Sequence, residues 1–142
     1  LAPQLNGIVT LPPPPPQFTY KFSGFLQPIN DVEVNPSQSL SVFKGGSTIP
    51  VKFQLKSATG SPIQAKTAPL WLLPVKLSAL TTPVGGTTSS GIGTSTSVFK
   101  WDSGSQQYIY NWSTKGLITG YWYRLSAKLD DGKTYSVTVG LR

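Results

Sequence analysis

The sequence predicts an all-β sandwich of seven to eight short strands. Three observations point there. Apolar residues recur at every second position through much of the chain, and helical spacing is almost absent. The alternating segments are separated by Gly, Pro, Asn and Ser punctuation. Charged residues make up only 12% of the chain, against about 25% in ordinary globular proteins. Ser, Thr, Gln, Asn and Gly fill their place, as they do on the outward strand faces of many extracellular β-proteins.

The 142 residues divide into three parts. Residues 1–11 form an N-terminal extension holding one apolar stretch, LNGIVTL, from Leu5 to Leu11. Its alternation puts Leu5, Gly7, Val9 and Leu11 on one face and Asn6, Ile8 and Thr10 on the other. Residues 12–17 are a spacer, Pro12, Pro13, Pro14, Pro15 and Pro16 followed by Gln17. Five prolines in polyproline II geometry span about 15 Å and resist folding back. Residues 18–142 are the sandwich domain, and a domain of this size needs neither disulfides nor metal to fold.

Within that domain, FTYKFSGFL (Phe18 to Leu26) is the first strand and LSVFK (Leu40 to Lys44) a short second. An irregular connection, Gln27 to Ser39, lies between them. TIPVKFQLK alternates Ile49, Val51, Phe53 and Leu55 against Pro50, Lys52 and Gln54. LWLLPVKLSA (Leu70 to Ala79) is another strand, too short and too interrupted by Pro74 and Lys76 to cross a membrane. The Gly/Ser/Thr-rich stretch Thr81 to Ser97 is expected to be a long loop. SVFKWD, a Ser/Gly turn and QQYIYNW then form a hairpin. A second hairpin closes the chain: YWYRLSAKL, the turn Asp130-Asp131-Gly132, and KTYSVTVGL.

Several phrases taken together, FSGFLQPIN, VFKGGSTIPVKFQLK, YIYNWSTKGL and LDDGKTYSVTVGLR, resemble the PxKF domain of bacterial extracellular and surface proteins. Pro50, Val51, Lys52 and Phe53 match its hallmark, and the similarity runs from about Phe18 to Arg142. The resemblance implies an Ig-like β-sandwich and a secreted setting. It brings no catalytic residues. It departs from the usual context in having a short N-terminal extension in place of a large partner domain.

The residue inventory restricts the chemistry. The chain has no cysteine, histidine or methionine, so thiolate ligands, disulfides and the commonest general base are excluded. The carboxylates are Asp31, Glu33, Asp102, Asp130 and Asp131. Asp102, Asp130 and Asp131 are expected as solvated loop acids, not as a facing glycosidase pair. Asp31 and Glu33 could join main-chain carbonyls around calcium, but no dense Asp/Asn/Gly loop surrounds them. A Lys52–Asn111 isopeptide bond is weighed against both residues pointing to solvent, which their alternation favours. Asn111-Trp112-Ser113 also fits a glycosylation acceptor. The expectation is a non-enzymatic protein with no cofactor and no metal.

Net charge is +7, from lysines scattered along the chain without a basic cluster, which argues against specific nucleic-acid binding. Weak attraction to anionic glycans or cell surfaces remains open. Among four tryptophans, Trp112 is in phase with Tyr108 and Tyr110 and is expected in the core. Trp122 is out of phase with Tyr121, Tyr123 and Leu125, so it should face outward beside Arg124 as a contact surface.

LNGIVTL cannot hold a strand alone in water, so it must pair with something or fray. A stiff spacer favours delivery to another molecule. The leading expectation is a structural subunit that donates Leu5, Ile8, Val9 and Leu11 to a neighbouring copy. Head-to-tail repetition of that contact builds a pilus-like filament at the cell surface or outside the cell. No signal peptide is visible, so secretion implies that one was removed and that Leu1 is the mature start. The alternative is a secreted carbohydrate- or surface-binding module of a larger protein.

Overall fold

The computed structural model describes residues 20–82 and 96–142. Leu5–Leu11 and Pro12–Pro16 lie outside the described residues, as does most of the expected loop from Thr81 to Ser97. Among the described residues there are eight strands and no helix: β1 (Lys21–Phe25), β2 (Ser41–Phe43), β3 (Thr48–Lys56), β4 (Leu70–Ala79), β5 (Lys100–Asp102), β6 (Gln107–Ser113), β7 (Tyr121–Lys128) and β8 (Thr134–Leu141). They form two four-stranded sheets, β1-β3-β6-β5 and β2-β8-β7-β4. With the short β2 set aside, the first, second, fifth and fourth strands make one sheet and the third, sixth and seventh the other. That is the immunoglobulin-type layout. All pairings are antiparallel except β2 beside β8.

The core lies where the alternation puts it. Ile49, Val51, Phe53 and Leu55 of β3 are buried, and so are Leu125, Ala127, Val139 and Leu141 on the facing sheet. Aromatic rings fill the space between. Phe53 meets Phe99 edge-on with centroids 4.9 Å apart, and Trp71 stacks on Tyr110 at 4.2 Å. Trp112 is buried against Tyr123, as its phase predicts.

Two segments cross between the sheets and depart from the sequence reading. SVFKWD is not one strand. Trp71 donates its N–H to the Ser97 carbonyl and Phe99 donates to Pro69, so this piece lies beside β4. The next three residues, β5, pair with Gln107–Ile109 of β6 in the other sheet. On the opposite flank β1 is shorter than expected and bulges at Gly24, whose φ is +110°. The chain then leaves for β2 through residues 26–40. Pro74 does not end β4, because register shifts between Leu72 and Val75 and between Lys76 and Ala79 absorb it.

Candidate functional site

The crossing from β1 to β2 leaves part of a strand uncovered. β7 covers one side of β8 from Thr134 to Leu141. On the other side β2 reaches only Val139–Leu141. Among the described residues no strand lies beside Thr134–Thr138 there. The other edges carry devices that resist strand addition. β1 has a bulge and Lys21, β2 and β5 have three residues each, and β4 has Pro74, Lys76 and two register shifts. The TYSVT segment of β8 carries none of these.

Beside this edge is a cleft of about 430 Å³ lined by Phe22, Asp31, Glu33, Val34, Thr134, Tyr135 and Ser136. Its floor is the stacked pair Phe22 and Tyr135, with centroids 3.9 Å apart, which ties the flanks of the two sheets together. Its far wall is the turn after Asp31. Asp31 is buried, and one carboxylate oxygen accepts the Phe25 N–H at 2.9 Å while the other accepts the Glu33 N–H at 3.2 Å. Its own carbonyl accepts from Val34 and Asn35. The carboxylate therefore organises the wall. A Cβ on Gly24 would come within 2.8 Å of Val34 Cγ2, so the bulge glycine lets that wall pack against β1. The Asn30 N–H donates to Ser41 Oγ at 2.8 Å and fastens the far end of the crossing.

Asp102, Asp130 and Asp131 have structural partners. Asp130 is not a free turn acid. Its Oδ2 accepts the Tyr20 hydroxyl at 3.2 Å and the Thr67 N–H at 2.9 Å, tying the last hairpin to the domain entrance. Burial, reinforced by that carboxylate, pushes the Tyr20 phenol up to about 12. Asp102 accepts both the hydroxyl and the N–H of Ser105, and these bonds hold its carboxyl below the usual range. No group of three or more His, Cys, Asp or Glu residues suited to a metal occurs among the described residues.

The aromatic and covalent candidates are placed as follows. Trp122 and Arg124 lie on the outer face of the β2-β8-β7-β4 sheet, opposite in phase to buried Tyr123 and Leu125, as expected. However, the Trp122 indole is half-buried over Gly140, and its Nε1–H donates to the Thr82 carbonyl at 3.3 Å. It is not a free stacking platform. Lys52 and Asn111 sit on the outer face of the other sheet, Lys52 opposite Ile109 and Asn111 opposite Pro50. Asn111 is exposed, so the pair lacks the buried setting that an acid-catalysed isopeptide bond requires.

Sequence reasoning missed the open edge of β8. Its alternation was legible, but which neighbour covers which half depends on where the β1–β2 crossing returns. Comparison with protein-family models, curated proteins and solved structures finds no significant match for this chain.

Proposed function

We propose that this chain is a non-catalytic structural subunit of an extracellular, pilus-like assembly, in which Leu5–Leu11 of one copy pairs with the open edge of β8 in the next. The observation that carries this reading is the uncovered Thr134–Thr138 edge with its adjoining cleft. Five residues of edge offer roughly 17 Å of unpaired backbone, and the seven residues of LNGIVTL extend over about 23 Å. Backbone hydrogen bonds would supply affinity, and Leu5, Val9 and Leu11 or Ile8 would enter the cleft on alternate positions. A run of five prolines is stiff by its chemistry and favours delivery of the strand to another molecule over folding back. Eight strands already form the two sheets among the described residues, so the contact would add a strand to an existing sheet. The resemblance to the PxKF module supports the secreted setting.

The test is assembly of the purified chain with and without residues 1–11, followed by analytical ultracentrifugation and electron microscopy. The full chain is expected to form concentration-dependent linear oligomers and the truncated chain to stay monomeric. A monomeric full chain, or unchanged assembly after truncation, overturns the reading. The alternative, a glycan-binding module that uses Trp122 as its platform, has less support because the indole is committed to Gly140 and Thr82.

A further inference from the structure

We infer that the outer face of the β1-β3-β6-β5 sheet binds an acidic polysaccharide, with lysines meeting its carboxylates. Lysines scattered in the sequence are gathered here by strand register. Lys52 and Lys56 alternate with fully buried Val51, Phe53 and Leu55, so both point outward. Lys21 stands directly opposite Lys56 across β1 and β3. Lys52 and Lys100 flank Ile109 from either side, about 10 Å apart across two strand spacings. Against four lysines this face carries one carboxylate, Asp102, which feels Lys100 and Lys52. None of the four lysines is in an ion pair among the described residues.

Like charges directly opposite on a sheet are unfavourable. The Lys21–Lys56 pair and its neighbours therefore form a face that gains from a polyanion laid across it. Between the lysines stand Gln107 and Asn111, whose amides suit sugar hydroxyls, while the Gln54 amide donates to the Gln106 carbonyl at 3.1 Å. Where β5 stops short, a cleft of about 360 Å³ opens beside Val98, Lys100, Asp102, Ile109 and Asn111, with Trp101 and Tyr110 as apolar walls for a sugar ring; its one carboxylate, Asp102, is already bonded to Ser105. The strand face itself carries no arginine, and its aromatic rings, Trp101 and Tyr110, line only the cleft at its edge, so it lacks the bidentate groups and the run of stacking platforms by which proteins hold nucleic acids. Val98 is the exposed large apolar side chain that borders this cleft, too little to enter a lipid surface. The proposal is independent of strand donation, because none of these residues lies at the β8 edge.

The test is affinity electrophoresis of the full chain in gels containing polygalacturonate, its fully methyl-esterified form, or neither. Retardation is expected in the acid polymer alone and should fade with added salt. K52Q/K100Q should weaken binding about tenfold, as expected for losing two complementary charges at a contact. K115Q/K133Q, altering two exposed turn lysines, should leave it unchanged. K21Q/K56Q provides a second variant of the face should the first fail to fold by circular dichroism. The chain lacking residues 1–11 should bind like the full one. Equal retardation by the esterified polymer, full binding by both face variants, or tighter binding to duplex DNA or anionic vesicles would overturn the proposal.

Discussion

The indole of Trp122 lies across Gly140 of the neighbouring strand, directly opposite it in register. A Cβ on Gly140 would stand 2.6 Å from Leu80 Cδ2 and 3.0 Å from the indole edge. The glycine is thus the seat of the tryptophan. Gly140→Val should displace both side chains and cost about 1–3 kcal/mol, the usual penalty of overpacking. Thermal unfolding measures the cost. Trp122 fluorescence should shift to longer wavelength as the ring is pushed into water. An unchanged spectrum would contradict the seating.

Thr114 is fully buried although it lies just past the end of β6. Its hydroxyl donates to the Ser47 carbonyl at 2.6 Å and accepts the Gly46 N–H at 2.9 Å, locking the turn before β3 to the end of β6. Thr114→Val keeps the shape and removes both bonds. It should lose about 1–3 kcal/mol because the Gly46 donor is left unsatisfied. Thr114→Ser should keep most of the stability. Chemical denaturation of the two variants separates hydrogen bonding from packing.

How much of this was legible in sequence depends on the range of the interaction. The last hairpin was readable because the alternation of Tyr121–Leu129 and Tyr135–Leu141 is local, and DDG marks the turn. The strand TIPVKFQLK was read to the residue for the same reason. SVFKWD was misread because Ser97–Phe99 and Lys100–Asp102 have the same local pattern but pair with different sheets. Asp31 offered two readings, ion ligand or turn organiser, and the turn-organising role becomes visible only when the Phe25 and Glu33 N–H groups are placed. Lys21, Lys52, Lys56 and Lys100 look dispersed along the chain because a charged face of a sheet is a property of register.

Tyr20 links pH to stability. Its phenol ordinarily titrates at 10.0 and is raised to about 12 by burial and by the Asp130 carboxylate it bonds. The neutral form is favoured by folding, so its contribution is complete below pH 10 and is lost as pH climbs through about 12. Burial raises the Tyr108 and Tyr123 phenols too, in the same direction. Stability of the natural chain should therefore fall in strong alkali. Tyr20→Phe should make that fall shallower and remove the last-titrating phenol from a spectrophotometric titration. An equally steep fall in the variant would contradict the assignment.

Asp31 separates the turn-organising role from ion binding. Asp31→Ala leaves the Phe25 and Glu33 N–H groups without their acceptor and should cost about 1–3 kcal/mol. Asp31→Asn keeps one acceptor oxygen and should lose less. Adding or chelating calcium should leave the melting temperature of the natural chain unchanged. A rise on adding calcium would show that the carboxylate serves an ion instead of the turn. The same measurement bears on the cleft, because the Asp31 turn forms the wall opposite Tyr135.

The strand-donation reading turns on backbone hydrogen bonds, which a side-chain substitution would leave in place. Val9→Pro removes one N–H from the middle of LNGIVTL and fixes a backbone angle poorly suited to a central strand position. Because Val9 precedes the proline spacer, the melting temperature of dilute, unassembled protein should not change. Assembly should be lost, as in the chain lacking residues 1–11. Val9→Thr, which keeps the N–H and the β-branched shape, should assemble with weakened affinity. If Val9→Pro assembles as well as the natural chain, the segment does not add to a sheet. Any contact it makes would then have to come from its side chains alone.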